Sequence, residues 1–587
     1  MFLGAHGKGR GWKKSDINVL HLRGAYAEMA AQHGAILKEA VRGGAAVYLG
    51  GKNERMIRQA PMLRDSRIKQ TMLLGLMKLL QMPMRARIPR EYRRESRGLA
   101  KSAGLNAELF EQTSLQADSL VLLLRHSMGR YLLKHMSPNG AFPGLPGCTS
   151  IVALKEHTAA GSLLQARNMD YPSVGTWDAN PTVFYCDPDG GQRSVGITTA
   201  GVHSVGITSV NESGLALAAH FHCSRRVSFF GTPVHIIGSE IMRRARTLSQ
   251  AINIARSIDR AGSWSFVISS ARENKACVIE MASGRLEVRD ADDSNGLLAH
   301  TNYFRTHSMR EDEILLSMST LHDFEARYAR ALELLRDAAH GGALTPAACG
   351  RILADGLDRE VGQVRGQGYT IAVITTVTSI IAELGNNRFW VAHRPESPVC
   401  LGNYSGFRLD EDFRNFDERS LETMDWTASP GPATASSVRG TAKQDALSAF
   451  RSAYMAFHND FDTVATLTHL SRAVELDPKE GNYWIAMGHL QMRLRRHENA
   501  LQSFLMGEAC PLGLHMKQTL LLFLGHAHDA LGRRDEALAR YRALEQEKPL
   551  SPHIREELQK NLKAPYKADR AEDITFDFQY CDSMEYA

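Results

Sequence analysis

Gly147-Cys148-Thr149-Ser150 ends a Pro/Gly-rich stretch, Pro138 to Gly147, and opens a β-prone run. A lone cysteine at such a loop-to-strand junction is usually a small buried apolar residue, so a nucleophilic role needs supporting groups. Three polar motifs follow in order: Leu163 to Tyr171 (LLQARNMDY), Val210 to Ala216 (VNESGLA) and Ala299 to Phe304 (AHTNYF). They contribute Arg167, Asp170, Asn211 and Asn302. Taken singly, each has a plainer reading. An Arg-x-x-Asp pair is most often a surface ion pair, Asn211 an ordinary turn residue and Asn302 a loop residue.

The elements that must hold these groups are legible as a change of texture. From about residue 18 to 140 the pattern is mainly helical, with Ala25 to Val41 spacing its apolar residues at three and four. Met72 to Met84 is rich in Leu and Met and runs into a basic stretch, Arg85 to Arg97. It reads as a core helix ended by Pro83, or alternatively as an amphipathic segment that meets a membrane surface or an acyl chain. Past residue 147, short β-prone runs are expected at 150–154, 162–167, 194–197, 204–210 and 215–220. Helices are expected at 233–246 and 248–258, strands at 265–269, 276–281 and 285–289, and a helix over 310–339. Strands at 370–376, 379–384 and 388–392 close the region. Sheets on either side of a helical layer would make an α+β sandwich.

Thr423 to Lys443 is rich in Pro, Ser, Thr and Ala and reads as a linker. Beyond it the pattern is wholly helical and repetitive. Trp484, Gly488, Ala500, Phe504 and Pro511 align with Leu521, Gly525, Ala537, Tyr541 and Pro549, with Gly488 and Gly525 spaced 37 residues apart. A preceding unit supplies Tyr454, Ala473 and Pro478. Small residues let paired helices approach, and the prolines end each second helix. The pattern resembles tetratricopeptide repeats, whose nominal period is about 34. The domain reading is therefore 1–147 mostly helical, 148–422 mixed strand and helix beginning at Cys148, 423–443 linker, 444–565 helical repeats and 566–587 a tail.

Composition sets outer limits. Hydrophobic residues at 43% and charged residues at 23% describe an ordinary globular chain and exclude disorder as the main state. A net charge of +6 spread over 587 residues is too dilute to imply nucleic acid. Eight cysteines without a CxxC pair argue against a disulfide framework and a structural zinc site, and no metal is expected. No apolar run reaches about 18 residues, and Met1 to Lys14 lacks the apolar core of a secretory signal. The expected location is cytoplasmic.

Gly-Cys-Thr, a downstream Arg-Asn-Met-Asp-Tyr, an Asn-Glu-x-Gly-Leu turn and a later Thr-Asn occur in the order found in cysteine N-terminal-nucleophile (Ntn) hydrolases. The chain most resembles the acyl-coenzyme A:6-aminopenicillanic acid acyltransferase group, with bile-salt and penicillin V amidases and acid ceramidase as more distant cousins. Leu22 to Ala40 and Ile88 to Gly104 are similar to that group's propeptide. The resemblance spans roughly residues 18–405. It implies a four-layered αββα sandwich behind a helical propeptide that is cut between Gly147 and Cys148.

The roles it implies go residue by residue. Cys148 is the nucleophile, and its freed α-amine, with a reference pKa of about 7.7–8.0, takes the thiol proton. Arg167 lowers the thiol pKa, and Asp170 orients the new amine. Asn211 and Asn302 lend donors to the oxyanion. The late arginine of bile-salt hydrolases has no match, with Arg394 and Arg408 only positional candidates. His203, His220, His222 and His300 are read as structural or substrate-lining. The implied activity is hydrolysis or transfer of an acyl group from an amide or thioester. A coenzyme A thioester would be a substrate, and no cofactor is expected. Two rival readings remain. One is an inactive Ntn-fold scaffold whose repeats bind a protein or peptide, and the other is a ceramidase-like lipid amidase with membrane contact.

Overall fold

In the computed structural model the described residues are 1–60, 63, 65–126, 129–131, 133, 139–140, 144–291, 295–340, 344–410, 423–424 and 442–583. Most of the expected linker, and part of the Pro/Gly stretch before Gly147, lie outside them.

Two sheets form the centre. The larger has ten strands among the described residues: β1 (Phe2–His6), β2 (Gly9–Lys14), β3 (Ile17–Gly24), β6 (Pro181–Pro188), β7 (Ser194–Thr199), β8 (Thr208–Asn211), β9 (Leu215–His222), β10 (Ser263–Ser270), β11 (Lys275–Ala282) and β12 (Arg285–Asp290), in that spatial order. The smaller runs β13 (Leu297–His300), β4 (Gly147–Ala153), β5 (Leu164–Asp170), β14 (Thr376–Glu383), β15 (Arg388–His393), β16 (Asn403–Arg408) and a two-residue strand Thr423–Met424.

Period-two alternation decides the layering. Val152, Ile380 and Val391 of the smaller sheet pack face to face on Val19, Val183, Val195 and Val267 of the larger. Their neighbours Ile151, Ala153, Ala166, Ile381 and Trp390 turn outward, onto Ala331 and Leu335 of one helix and Ile352 and Leu353 of another. On the far side Leu217, Ala219, Phe266 and Ile268 meet Ile237, Ile241 and Ala251. Helices thus flank two sheets, the inverse of a helical layer between sheets. Strands this apolar on both faces must be covered on both faces.

The N-terminal region, though mostly helical, begins with strands. Ile17–Gly24 pairs in parallel with β6, Val19 opposite Val183 and Leu20 opposite Phe184. Seven helices of this region are described: α1 (Tyr26–Ile36), α2 (Lys38–Arg42), α3 (Ala45–Gln59), α4 (Arg67–Arg87), α5 (Arg90–Ala103), α6 (Ala107–Ser114) and α7 (Gln116–Arg125). Helix α4 runs through Pro83 instead of stopping there. After Cys148 come α8 (Val234–Arg244), α9 (Leu248–Ser257), α10 (Met318–His340) and α11 (Pro346–Leu353). Residues 370–375, expected as a strand, form a loop. Tyr369 takes a left-handed φ of 68°, and the Ile374 N–H turns back to the Gly366 carbonyl at 2.8 Å. These local bonds use the groups a ladder would need.

The C-terminal region has seven described helices: α12 (Ala442–Met455), α13 (Thr463–Leu476), α14 (Gly481–Arg493), α15 (His497–Glu508), α16 (Leu514–Ala530), α17 (Arg534–Gln546) and α18 (Pro552–Lys563). Gly488 of α14 lies against the Phe504 ring of α15, and Gly525 of α16 against Tyr541 of α17. A side chain at either glycine would run into the ring. These helices share a core with the two-sheet region, where Phe450, Tyr454 and Phe578 cluster with Met169, Trp177 and Tyr369. Buried ion pairs cross the same junction, Arg451 to Asp178 at 3.0 Å and Arg365 to Glu480 at 3.3 Å. The tail folds back as a small hairpin, Phe576–Asp577 on Asp582–Ser583. Within it Gln579 accepts from the Gly368 N–H at 3.0 Å and the Thr375 hydroxyl at 3.1 Å.

Candidate active site

Strands β4 and β5 pair antiparallel, with Gly147 opposite Asp170, Cys148 opposite Met169 and Ser150 opposite Arg167. Register alone therefore puts Cys148 and Arg167 on one face of the sheet and Thr149 and Asp170 on the other. The Cys148 Sγ faces the larger sheet, 3.0 Å from Arg167 Nη2 and 3.7 Å from the Ala219 carbonyl of β9. Arg167 is fixed by the Ile207 carbonyl at 2.9 Å and by bonds to Thr208 Oγ1 and the Ala219 carbonyl.

Asn302 follows β13, the neighbour of β4, and stands level with the nucleophile. Its Oδ1 accepts from the Cys148 N–H at 2.7 Å, and its Nδ2 donates to the Phe221 carbonyl at 3.0 Å. One N–H of that amide is thus committed and the other remains for a second acceptor.

On the helix side, Arg327 of α10 does what neither Arg394 nor Arg408 does. Its Nη1 donates to the Cys148 carbonyl at 2.8 Å and to Thr149 Oγ1 at 2.9 Å, and its Nη2 reaches Asn302 Oδ1 at 3.3 Å. Asp323, one turn earlier, holds its Nε at 2.9 Å. Arg394 and Arg408 instead face Glu396 and Asp410. Sequence reasoning passed over Arg327 because Asp323 and Arg327 at i, i+4 are the pattern of an ordinary solvated helix pair. Here the pair is at most 1% exposed.

Asp170 receives one bond, from the Thr376 hydroxyl to Oδ1 at 2.7 Å, and its buried Oδ2 has no partner. That oxygen lies 3.1 Å from where a Cβ on Gly147 would sit, so it borders the Gly147–Cys148 bond. Cys148, Arg167, Asp170 and Asn302 are all 3% exposed or less.

Asn211 is not with them. It closes the turn between β8 and β9, where its Nδ2 donates to the carbonyls of Met242 at 3.2 Å and Ala245 at 2.9 Å. Its Oδ1 accepts from Ser213 and Leu215 N–H. It therefore serves as a turn clamp, and its amide has no donor left for an oxyanion. β9 itself runs from that turn toward Ala219, several residues on.

Burial sets the charge states. It pushes the Cys148 thiol up, against the opposing pull of Arg167, so in the uncut chain the cation does not outweigh desolvation. Burial raises Asp170 to about 6, opposed by the Arg327 charge and the Thr376 bond. His220, His222 and His300 form a buried ring cluster beneath β4, with His220 Nε2 2.8 Å from Ser150 Oγ. Burial lowers all three, His222 to about 3, which leaves them neutral near pH 7.

Cys148 and Arg167 open into a largely apolar cavity of about 120 Å³. Met169, Trp177, Phe221 and Trp264 of the catalytic region line it together with Leu49 and Phe110 of the N-terminal helices. His203 also lines it, stacked on His235 at 4.7 Å. The site gathers a thiol, a fixed guanidinium, a second guanidinium on the nucleophile's own carbonyl, an amide and a half-satisfied carboxyl. That set suits attack on an acyl carbon. Among the described residues no group of His, Cys, Asp and Glu is arranged to hold a metal ion.

Residues 157–374 match the family model described as acyl-coenzyme A:6-aminopenicillanic acid acyl-transferase. The match takes in Arg167, Asp170, Asn302 and Arg327 and begins just past Cys148. No curated protein matches the chain. Among solved structures, a variant of conjugated bile acid hydrolase from Clostridium perfringens is 13% identical over 47% of this chain and 97% of that one, with a TM-score of 0.31. A likeness at that score is too slight to carry fold or function.

Proposed function

We propose that the chain is a self-processing cysteine hydrolase or acyltransferase of the N-terminal-nucleophile kind, acting on an amide or thioester of an apolar acyl compound. The observation that carries the reading is the buried, unpartnered Oδ2 of Asp170 beside the Gly147–Cys148 bond. An isolated buried carboxyl oxygen is costly, and a new α-ammonium on Cys148 is the partner that would satisfy it.

In the first step the Cys148 sulfur attacks the Gly147 carbonyl carbon. The C–N bond breaks, the amine nitrogen takes the proton, and a Gly147 thioester forms. Water then releases a carboxylate on Gly147 and the thiol and free α-amine of Cys148. In turnover that amine accepts the thiol proton, sulfur attacks the substrate carbonyl, and the proton passes to the leaving group. Water or an acceptor amine discharges the acyl-enzyme. Arg167 stands beside the sulfur, and we assign the uncommitted N–H of Asn302, held level with Cys148, to the developing oxyanion. The apolar walls of the cavity suit the acyl portion, and a coenzyme A thioester stays among the candidate donors.

The helices from 442 onward we read as a tetratricopeptide-like stack, supported by Gly488 on Phe504 and Gly525 on Tyr541 at corresponding positions. Their common core with Trp177 and Met169 favours bracing of the catalytic region over service as a free peptide-binding arm.

Intact mass with N-terminal sequencing, on the purified chain and on Cys148→Ala, tests the proposal. The expected result is pieces of 147 and 440 residues from the 587, the larger beginning at Cys148, and one uncut chain from the variant. A single uncut chain from both would overturn self-processing and favour the inactive-scaffold reading.

A further inference from the structure

Helix α4 has two apolar faces, and only one of them is packed. At about 100° per residue, Leu73, Met77 and Met84 fall on one side of the helix. Leu73, Leu74 and Met77 pack on Met56 and Ile57 of α3, and Met84 joins Ile88 and Tyr92. Ile68, Met72, Leu76, Leu79 and Met82 fall on the other side, and they are 74%, 69%, 45%, 59% and 57% exposed. Their spacing makes a continuous outward stripe along the 21-residue helix. Scattered exposed apolar residues are normal, whereas a contiguous stripe marks a surface that meets something.

The charges beside the stripe say what it meets. α4 contains Arg67, Lys69, Lys78, Arg85 and Arg87 and no acid. Arg67, Lys78 and Arg85 run along one border of the stripe, Lys69 and Arg87 along the other. Lys78 and Arg85 already lean on Glu108 and Glu111 of α6. Arg67, Lys69 and Arg87 stay exposed, and α5 adds exposed Arg90, Arg94 and Arg97 against Glu91. A second copy of the chain would bring like-charged borders together. An interface of anionic headgroups over acyl chains fits both features: the apolar side chains sink below the headgroups, and the Lys and Arg stems reach back to the phosphates. Spanning is not implied, since no described helix is long and apolar enough to cross a membrane.

We infer that α4 is a docking surface for an anionic lipid bilayer, lying in its plane with Ile68, Met72, Leu76, Leu79 and Met82 sunk at the headgroup–acyl boundary. This surface is independent of the chemistry assigned to Cys148, because its measurement is binding.

The test is flotation of the full-length protein with vesicles of phosphatidylcholine, with and without phosphatidylglycerol. The wild-type chain should float with the anionic vesicles, less so as salt rises. Ile68→Ser/Met72→Ser/Leu79→Ser should weaken the association at least about tenfold with an unchanged melting curve, because the three residues are exposed. Should that variant fold poorly, Lys69→Glu/Arg87→Glu should abolish the preference for anionic vesicles. The proposal is overturned if the wild-type chain does not float, if it binds neutral vesicles equally well, or if the triple variant floats like the wild type. It is also overturned if light scattering shows a lipid-free dimer that the triple substitution turns into a monomer.

Discussion

Two buried aspartates, one in each half of the molecule, mark the difference between a site and a scaffold. In the helical C-terminal region Asp529 is fully engaged. It accepts from Arg534 at 2.9 Å, from the Tyr541 hydroxyl at 2.9 Å and from the Tyr566 N–H at 2.8 Å. Asp170 in the catalytic region has one hydrogen bond and one bare oxygen. The first is a structural tie that costs the fold little. The second keeps a bare oxygen beside the Gly147–Cys148 bond, where the proposed cleavage would supply a partner. Packing repeats the contrast, with glycines set flush against Phe504 and Tyr541 in the helices and an open cavity beside Cys148.

The comparison is broken most severely at the thiol. Cys148→Ala should give one uncut chain without turnover, read by intact mass and acyl-amide hydrolysis. Cys148→Ser should still cut slowly, since a hydroxyl can make the same acyl shift. Survival of full cleavage in the alanine variant would remove the site altogether.

Next in size is Asn302→Ala, which should fold and lose about 2.7–4 kcal/mol of transition-state stabilisation, seen as a fall in kcat. A rise in KM alone would reassign Asn302 to substrate binding.

The bare oxygen has a pH signature. Asp170 is raised from an unfolded value of about 3.9 to about 6. Between those values the folded state holds the extra proton, so the contribution is complete below about 3.9 and is lost as pH rises through about 6. At full extent it is on the order of 2–3 kcal/mol. In the uncut Cys148→Ala background, the chain that keeps Asp170 should therefore gain about 2 kcal/mol between pH 7 and pH 4.5 relative to the same chain carrying Asp170→Asn, read from denaturant midpoints. Asp118 and Asp577, raised by burial, and the neutral buried histidines, lowered by it, shape both profiles alike and cancel in the difference. An identical slope with and without Asp170 would mean that its oxygen is satisfied in solution.

The smallest effect belongs to the scaffold. Gly525→Ala forces a methyl into the Tyr541 ring and should cost about 1–3 kcal/mol of stability. Cleavage at Cys148 should persist at a temperature where the variant remains folded. Loss of cleavage under those conditions would show that the helices do more than brace.

Much of the local structure was legible because its causes are local. Alternation and turn residues placed β5, β7, β9, β10, β11 and β12 and helices α8 and α9 close to where they lie, and they put Cys148 at the mouth of a strand. Glycine and aromatic spacing anticipated which C-terminal helices would touch. Other elements answer to distant partners. Ile17–Gly24 is a strand because β6, far along the chain, offers an edge to pair with. Residues 370–375 fail to become one because Gly366 and the tail take their hydrogen bonds.

The sequence by itself determined that Cys148, Arg167, Asp170 and Asn302 would be available in order, and that helices would precede and follow the sheets. Only the tertiary structure decided which of the polar residues meet. It drew Arg327 in from a helix nearly two hundred residues away, left Asn211 to clamp a turn, and turned one face of α4 outward. The physical reason is that pattern fixes which side of an element is apolar or polar. Which neighbour that side faces, and so whether a charge is solvated or buried against a nucleophile, is settled by packing between elements remote in the chain.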